Sequence, residues 1–336
     1  MDNYNFFTLA DDFVALKSRK LSLRRLLFLL FFLSLSFAGF SQQMPVFTQY
    51  EQSLMYSNSG FAGMGDGICV SGLMRQQWAG FKDADGNKVA PETYLVSVNS
   101  PVKILHGGLG GSIIQDKLGF EKNVTINLSY SYHLQLPFAV LGMGLGVNLI
   151  NKNIDFAKFK PYQSGDPLLT AVTDGAMMFD ADVGFFLINP DYYLGLSVKN
   201  LLELKGRNLS SSDQGELRFQ TDRTFYLTGA YNFELASKDF VVSPGFMLQT
   251  DIVKTQITVL GTISIKEKMF AGVSYRVGES IGAMAGVKIK GLRITYSYDV
   301  TTIRYGMPGS HEVGLSYCFK IKGDHSKTSY KNTRYL

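Results

Sequence analysis

Residues 291–300 read GLRITYSYDV. Leu292, Ile294, Tyr296, Tyr298 and Val300 are apolar or aromatic, and Arg293, Thr295, Ser297 and Asp299 between them are polar. A period of two puts the two sets on opposite faces of a strand, one toward an apolar medium and one toward a polar one. The pattern recurs. Ile68 to Met74, Val124 to Leu134, Leu141 to Leu149, Ala181 to Leu187, Tyr192 to Val198, Phe225 to Phe233, Ile257 to Ile265, Ala271 to Val277, Ile281 to Ile289 and Val313 to Phe319 alternate in the same way. With weaker candidates near Tyr94, Leu109 and Val242, the chain offers about fourteen strands of roughly ten residues.

Strands of soluble sheets average about five or six residues, whereas roughly ten suit a tilted strand that crosses a bilayer. The connections also alternate. Tight ones follow Leu134 and fall at Asn189, Lys266 and Lys290; long polar ones run from Gln76 to Pro91, Asn151 to Gly175, Asn200 to Thr221 and Thr301 to His311, with short exceptions near Asp251 and Glu279. Short turns on one side and long loops on the other predict an all-β fold, a transmembrane antiparallel up-and-down β-barrel of the outer-membrane type. Closure leaves no unpaired sheet edge in hydrocarbon. An even strand count predicts that both mature termini are periplasmic.

The composition agrees: 46% of the 336 residues are hydrophobic, with 18 Tyr, 25 Phe and 34 Gly, and only 18% are charged. The net charge of +5 comes from 33 basic and 28 acidic residues that are dispersed along the chain, which argues against a nucleic-acid partner. The one long apolar run, Leu26 to Phe40, follows Lys17, Arg19, Lys20, Arg24 and Arg25 and ends at the small residues Gly39 and Ser41. It reads as a secretory signal peptide over 1–41, against the alternative of a retained anchor helix, for which it is short. Residues 42–67 are too irregular for a strand and form an N-terminal segment that either plugs the barrel or lies at its periplasmic mouth. The barrel covers 68–321, and 322–336 form a polar periplasmic tail.

Enzyme motifs are incomplete. His311-Glu312 lacks the second histidine of a zinc protease helix, since Leu315 stands there. His133 shares a face with Ser129 and Ser131, which is either a hydrolase arrangement or ordinary luminal polarity. Asp83 to Asn87, DADGN, reads as a hairpin tip in preference to a calcium loop. No cofactor or metal site is expected. Cys69 and Cys318 lie near the periplasmic ends of the first and last strands, which are neighbours in a closed barrel. An oxidising compartment permits a disulfide between them; two separate thiols are the alternative.

Three stretches resemble the PorP/SprF family of outer-membrane proteins of the type IX secretion system in Bacteroidetes. They are QQMPVFTQYEQSLMYSNSGFAG (Gln42 to Gly63), RQQWAGF (Arg75 to Phe81) with PETYLVSVNSPV following, and HEVGLSYCF (His311 to Phe319). Asn58 and Ala62-Gly63 keep the family's opening pattern, while Ser59, Gly60 and Phe61 depart from it. The resemblance implies a non-enzymatic role in secretion or surface attachment of a secreted protein, often a gliding adhesin. It implies as partners that adhesin-like client, outer-membrane lipid, and periplasmic or outer-membrane components of the secretion machinery. Arg75, Gln76, Gln77, Trp78, Gly80, Phe81, His311 and Glu312 are the motif positions it marks for partner contact. Without the resemblance, Arg75 reads as a luminal arginine paired with a carboxylate and Trp78 as an interfacial girdle residue. A channel or hydrophobic-substrate transporter is the alternative function.

Overall fold

The computed structural model describes residues 44–65, 67–155, 158, 173–204, 207–208, 219–235, 239–303 and 306–320. The stretch expected to be a signal peptide, 1–41, and the tail from 322 lie outside the described residues. Fourteen strands form a closed antiparallel ring. They are β1 (Gly67–Gln76), β2 (Glu92–Val102), β3 (Gly107–Leu118), β4 (Glu121–Gln135), β5 (Val140–Asp155), β6 (Thr173–Ile188) and β7 (Tyr192–Lys199), then β8 (Thr224–Tyr231), β9 (Phe240–Thr250), β10 (Thr255–Ile265), β11 (Met269–Arg276), β12 (Ser280–Ile289), β13 (Leu292–Thr301) and β14 (Ser310–Lys320). Each strand pairs with the next in sequence, and β1 pairs with β14 from Gly67↔Lys320 to Gln76↔His311, which seals the ring. Two short pieces add to it: Arg207–Asn208 pairs with β6, and Phe233–Glu234 continues β8 along β9.

Alternation becomes inside and outside. In β13, Tyr296 and Val300 are 47% and 56% exposed on the outer wall, while Ser297 and Asp299 between them are 0% and 1% exposed in the lumen. The outer rows carry Leu, Ile, Val and aromatics without a covering partner among the described residues, which is the surface that lipid requires. Aromatic residues gather near both rims. Tyr192 and Tyr231 stack at 6.3 Å and Tyr317 meets Phe319 at 4.6 Å at one end, and Tyr298 lies 5.0 Å from His311 at the other. No helix among the described residues is long and apolar enough to cross a membrane.

The two rims differ. Connections of two to four residues join β2 to β3, β4 to β5, β6 to β7, β10 to β11 and β12 to β13 at one rim, here called the turn rim. The β12–β13 turn has positive φ at both central residues, Lys290 (49°) and Gly291 (89°), the geometry that matches the twist of a two-residue hairpin. The longest connections, 77–91, 156–172 and 200–223, all lie at the opposite or loop rim. That rim has a third short connection beyond those near Asp251 and Glu279. Gly119 and Phe120 alone join β3 to β4, because Gly119 takes a left-handed φ of 60° and lets the ladder run to the Leu118↔Glu121 pair.

Candidate functional site

The lumen is filled by the chain's own N-terminal segment. From Thr48 to Ala62 every residue is buried, in two 3-10 turns, Tyr50–Ser53 and Ser59–Phe61, and a single α-helical turn, Leu54–Ser57. Turns this short cannot hold themselves in water. The wall holds them, through three apolar pockets. Phe47 and Tyr56 pack with Leu73, Leu95 and Ile114; Tyr50 with Tyr226, Met247, Leu260 and Met284; Leu54, Met55 and Phe61 with Phe186, Ile188 and Tyr193. The segment runs the length of the ring. Gly63 lies against Pro101 and Gly108 beside the turn rim, whereas the Met44 carbonyl accepts from Gln249 Nε2 (3.1 Å) near the loop-rim end of β9. The first described residue is therefore near the opposite rim from the start of β1, Gly67.

Close to the loop rim, charge does the gripping. Glu312 accepts from the Thr48 and Gln49 backbone amides at 2.8 and 3.0 Å and pairs with Arg75 Nη1. Arg75 also reaches Asp299 Oδ2 (3.0 Å), and Thr48 Oγ1 donates to the same carboxylate oxygen. Arg276 completes the group, with Nη2 3.2 Å from Thr48 Oγ1 and Nη1 2.9 Å from Glu279. Deeper in the lumen, Lys199 Nζ pairs with Asp182 (2.8 Å) and donates to the Tyr56 carbonyl (2.8 Å), while Asn127 and Asn148 donate to the same Asp182 carboxylate at 3.0 and 2.6 Å. Charges buried this far are tolerable because each is both paired and hydrogen-bonded.

Toward the turn rim the contact is steric. Gly108, Gly142, Gly144 and Gly184 face the lumen, and a Cβ on any of them would come within 2.3 Å of an atom of the segment: Gly63, Gly60, Ser59 and Asn58 respectively. Glycine is what lets two backbones approach that closely.

The family model described as "Type IX secretion system membrane protein PorP/SprF" matches residues 39–317. The chain belongs to the PorP/SprF family. All three stretches that carry the resemblance meet in the lumen of this PorP/SprF barrel: Thr48 and Gln49 from the first, Arg75 from the second and Glu312 from the third. No curated protein matches the sequence. Among solved structures, the toluene transporter TbuX of Ralstonia pickettii is similar at 11% identity and TM-score 0.49, over 80% of this chain and 94% of that one. Omp33 of Acinetobacter baumannii is similar at 8% identity and TM-score 0.42, over 76% and 100%. TodX of P. putida is similar at 11% identity and TM-score 0.44, over 80% and 94%.

The other motif residues of the PorP/SprF chain go elsewhere. Gln76 ends β1 opposite His311, whose Nδ1 lies 2.7 Å from Tyr296 Oη on the outer wall. Gln77 donates its amide to Pro91 O, and Trp78, in a left-handed φ of 50°, donates its amide to Ser310 Oγ (3.2 Å) and meets the Phe81 ring at 6.3 Å. Gly80, at φ 87°, is exposed at the loop rim. Cys69 and Cys318 are register partners across the seam and are joined as a disulfide. His133 Nε2 lies 2.9 Å from the Ala62 carbonyl and Ser131 donates to the Gly60 carbonyl (3.0 Å), so both are engaged by the segment and not by each other. In the first loop, the Asp83 carboxylate accepts from the Asn87 side chain (2.9 Å) and from the Asn87 and Asp85 amides. These bonds, led by that of the Asn87 side chain, hold it below the usual carboxylate range.

Asp299, Arg276, Lys199 and Asp182 were not singled out by sequence reasoning. Their signal is a charge in the luminal row of a strand, where a merely wet pore wall needs only Ser, Thr or Gly.

Proposed function

We propose that this protein is a non-enzymatic component of type IX secretion in the outer membrane of a Bacteroidetes cell, and that it assists delivery of a secreted protein to the cell surface or holds it there. A gliding adhesin is the type of client. The observation that supports this reading is the filled lumen: among the described residues the barrel is occupied by its own chain along its length, with buried ion pairs at the far end, and so offers a docking body. The loop rim faces outward and meets the secreted protein, and the turn rim and the tail from 322 face the periplasm, where other secretion components engage them.

Deletion of the gene should leave the client in the periplasm or shed it to the medium, with other type IX substrates still exported. Unchanged amounts of every surface protein would overturn the proposal. The channel reading requires residues 44–65 to leave the lumen. Purified protein that gives steady, large conductance in planar bilayers would favour it.

A further inference from the structure

We propose that the barrel lumen is a peptide-binding site, that residues 44–63 are its resident occupant, and that a polypeptide segment of another protein can take their place. The inference is independent of which protein the cell secretes. It rests on how the wall reads the segment, through its main chain as well as through the side chains of Thr48, Gln49, Gln52 and Asn58. Glu312 accepts from two backbone amides. Gln249, Lys199, Ser197 and Ser131 donate to the carbonyls of Met44, Tyr56, Ser57 and Gly60. Every polypeptide carries those amides and carbonyls; of side chains the wall asks for aromatic or aliphatic anchors in three pockets, small residues over Gly142 and Gly144, and polar groups where Thr48, Gln49, Gln52 and Asn58 stand.

A second observation points the same way. The resident segment leaves part of the wall unanswered. Asn99 Oδ1, Ser316 Oγ, Gln249 Oε1, Thr228 Oγ1 and Asp299 Oδ1 are buried without a hydrogen-bond partner among the described residues. Asn99 and Ser316 line a cavity of about 30 Å³, room enough for water, between the segment and the wall of β1, β2 and β14. A buried polar atom without a partner is costly. A different occupant can recover that. The matching ligand is an extended-to-turn peptide of about twenty residues with aromatic or aliphatic anchors for the three pockets, a small-residue pair near its end, and polar side chains aimed at Asn99 of β2 and Ser316 of β14.

The test keeps the whole chain. A protease site is inserted between Met64 and Gly67, so that the segment can be cut from β1 inside the folded barrel. Cleaved protein in detergent is mixed with fluorescein-labelled synthetic peptide 44–63. Saturable uptake, reversed by unlabelled peptide, is expected after cleavage; uncut protein should take up little, because the tether keeps the resident segment at high effective concentration. A peptide with Thr48, Gln49 and Gln52 all replaced by Ala should compete at least about tenfold less well, because it leaves Asp299, Arg276, Ser297 and Thr295 without those bonds, and a peptide with Gly60→Val should not compete. Glu312→Gln in the barrel should weaken uptake about tenfold or more, the scale of a charge-assisted hydrogen bond. Should cleavage unfold the ring, the uncut chain carrying Thr48→Pro and Gly60→Val in its own segment replaces it, and wild-type peptide should bind there in trans. A folded barrel of either kind that takes up no peptide, or takes up an unrelated charged peptide equally well, overturns the proposal.

Discussion

Gly144 of β5 and Ser59 of the luminal segment meet main chain to main chain: a Cβ on Gly144 would stand 2.2 Å from the Ser59 carbonyl carbon. Neither side can give way, since one is barrel wall and the other is packed on three sides. Gly144→Val should therefore displace the segment while leaving the ring intact. Protease should then cut within 44–65 in the folded barrel, and conductance should rise. Gly261→Ala, where nothing lies within 4 Å of the added carbon, is the control and should change neither.

Removing one charge at the loop-rim end should cost more than its exposed counterparts. In Glu312→Gln, Arg75 keeps Asp299 but loses its second carboxylate, and two backbone amides lose a charged acceptor. Breaking one member of a buried pair typically costs about 3–5 kcal/mol. Denaturant unfolding should show a loss on that scale, whereas Lys266→Gln, whose contact to Asp239 is 4.0 Å and exposed, should fall within about 0.5 kcal/mol of wild type.

The seam disulfide joins residues 249 apart in sequence. Closing a loop of that size restricts the unfolded chain by about 5 kcal/mol in the chain-entropy account. Cys69→Ser, or reduction, should lower the temperature at which the barrel loses its folded mobility on a denaturing gel. The ring should still form, because ten ladder pairs hold β1 to β14.

With the loop rim outward, the N-terminal end lies on the outer side and not in the periplasm as an even strand count predicts, since the Met44 carbonyl bonds Gln249 near that rim; an epitope placed just ahead of Met44 should then be reached by antibody in intact cells. An epitope after Leu336 should be reached only once the outer membrane is broken. The opposite labelling would reverse the orientation given under the proposed function.

The strands were legible because lipid tolerates nothing polar, so the outer row is apolar wherever a strand crosses. The three faint ones, β2, β3 and β9, have a physical explanation. Each carries luminal apolar residues, Leu95, Ile114, Val241 and Met247, of which Leu95, Ile114 and Met247 receive Phe47, Tyr56 and Tyr50. Filling the inner row weakens the period of two, although β8 and β10, with Tyr226 and Leu260 in that row, keep theirs. The path of the luminal segment was not legible at all. Its contacts join residues some 250 positions apart, such as Thr48 with Asp299, and its short turns have no period to read. Asp299 stood in GLRITYSYDV as one polar residue among four, and only the fold gives it Arg75 and Thr48 as neighbours.

Chain order gives the filled lumen a further meaning. The occupant precedes the wall in the chain, and the strand that shuts the ring follows the other thirteen; that closing strand carries both Glu312 and Cys318. A casting is made in the same order, with the core set before the mould is closed around it, and the clasp fitted at the end belongs to the same piece that grips the core.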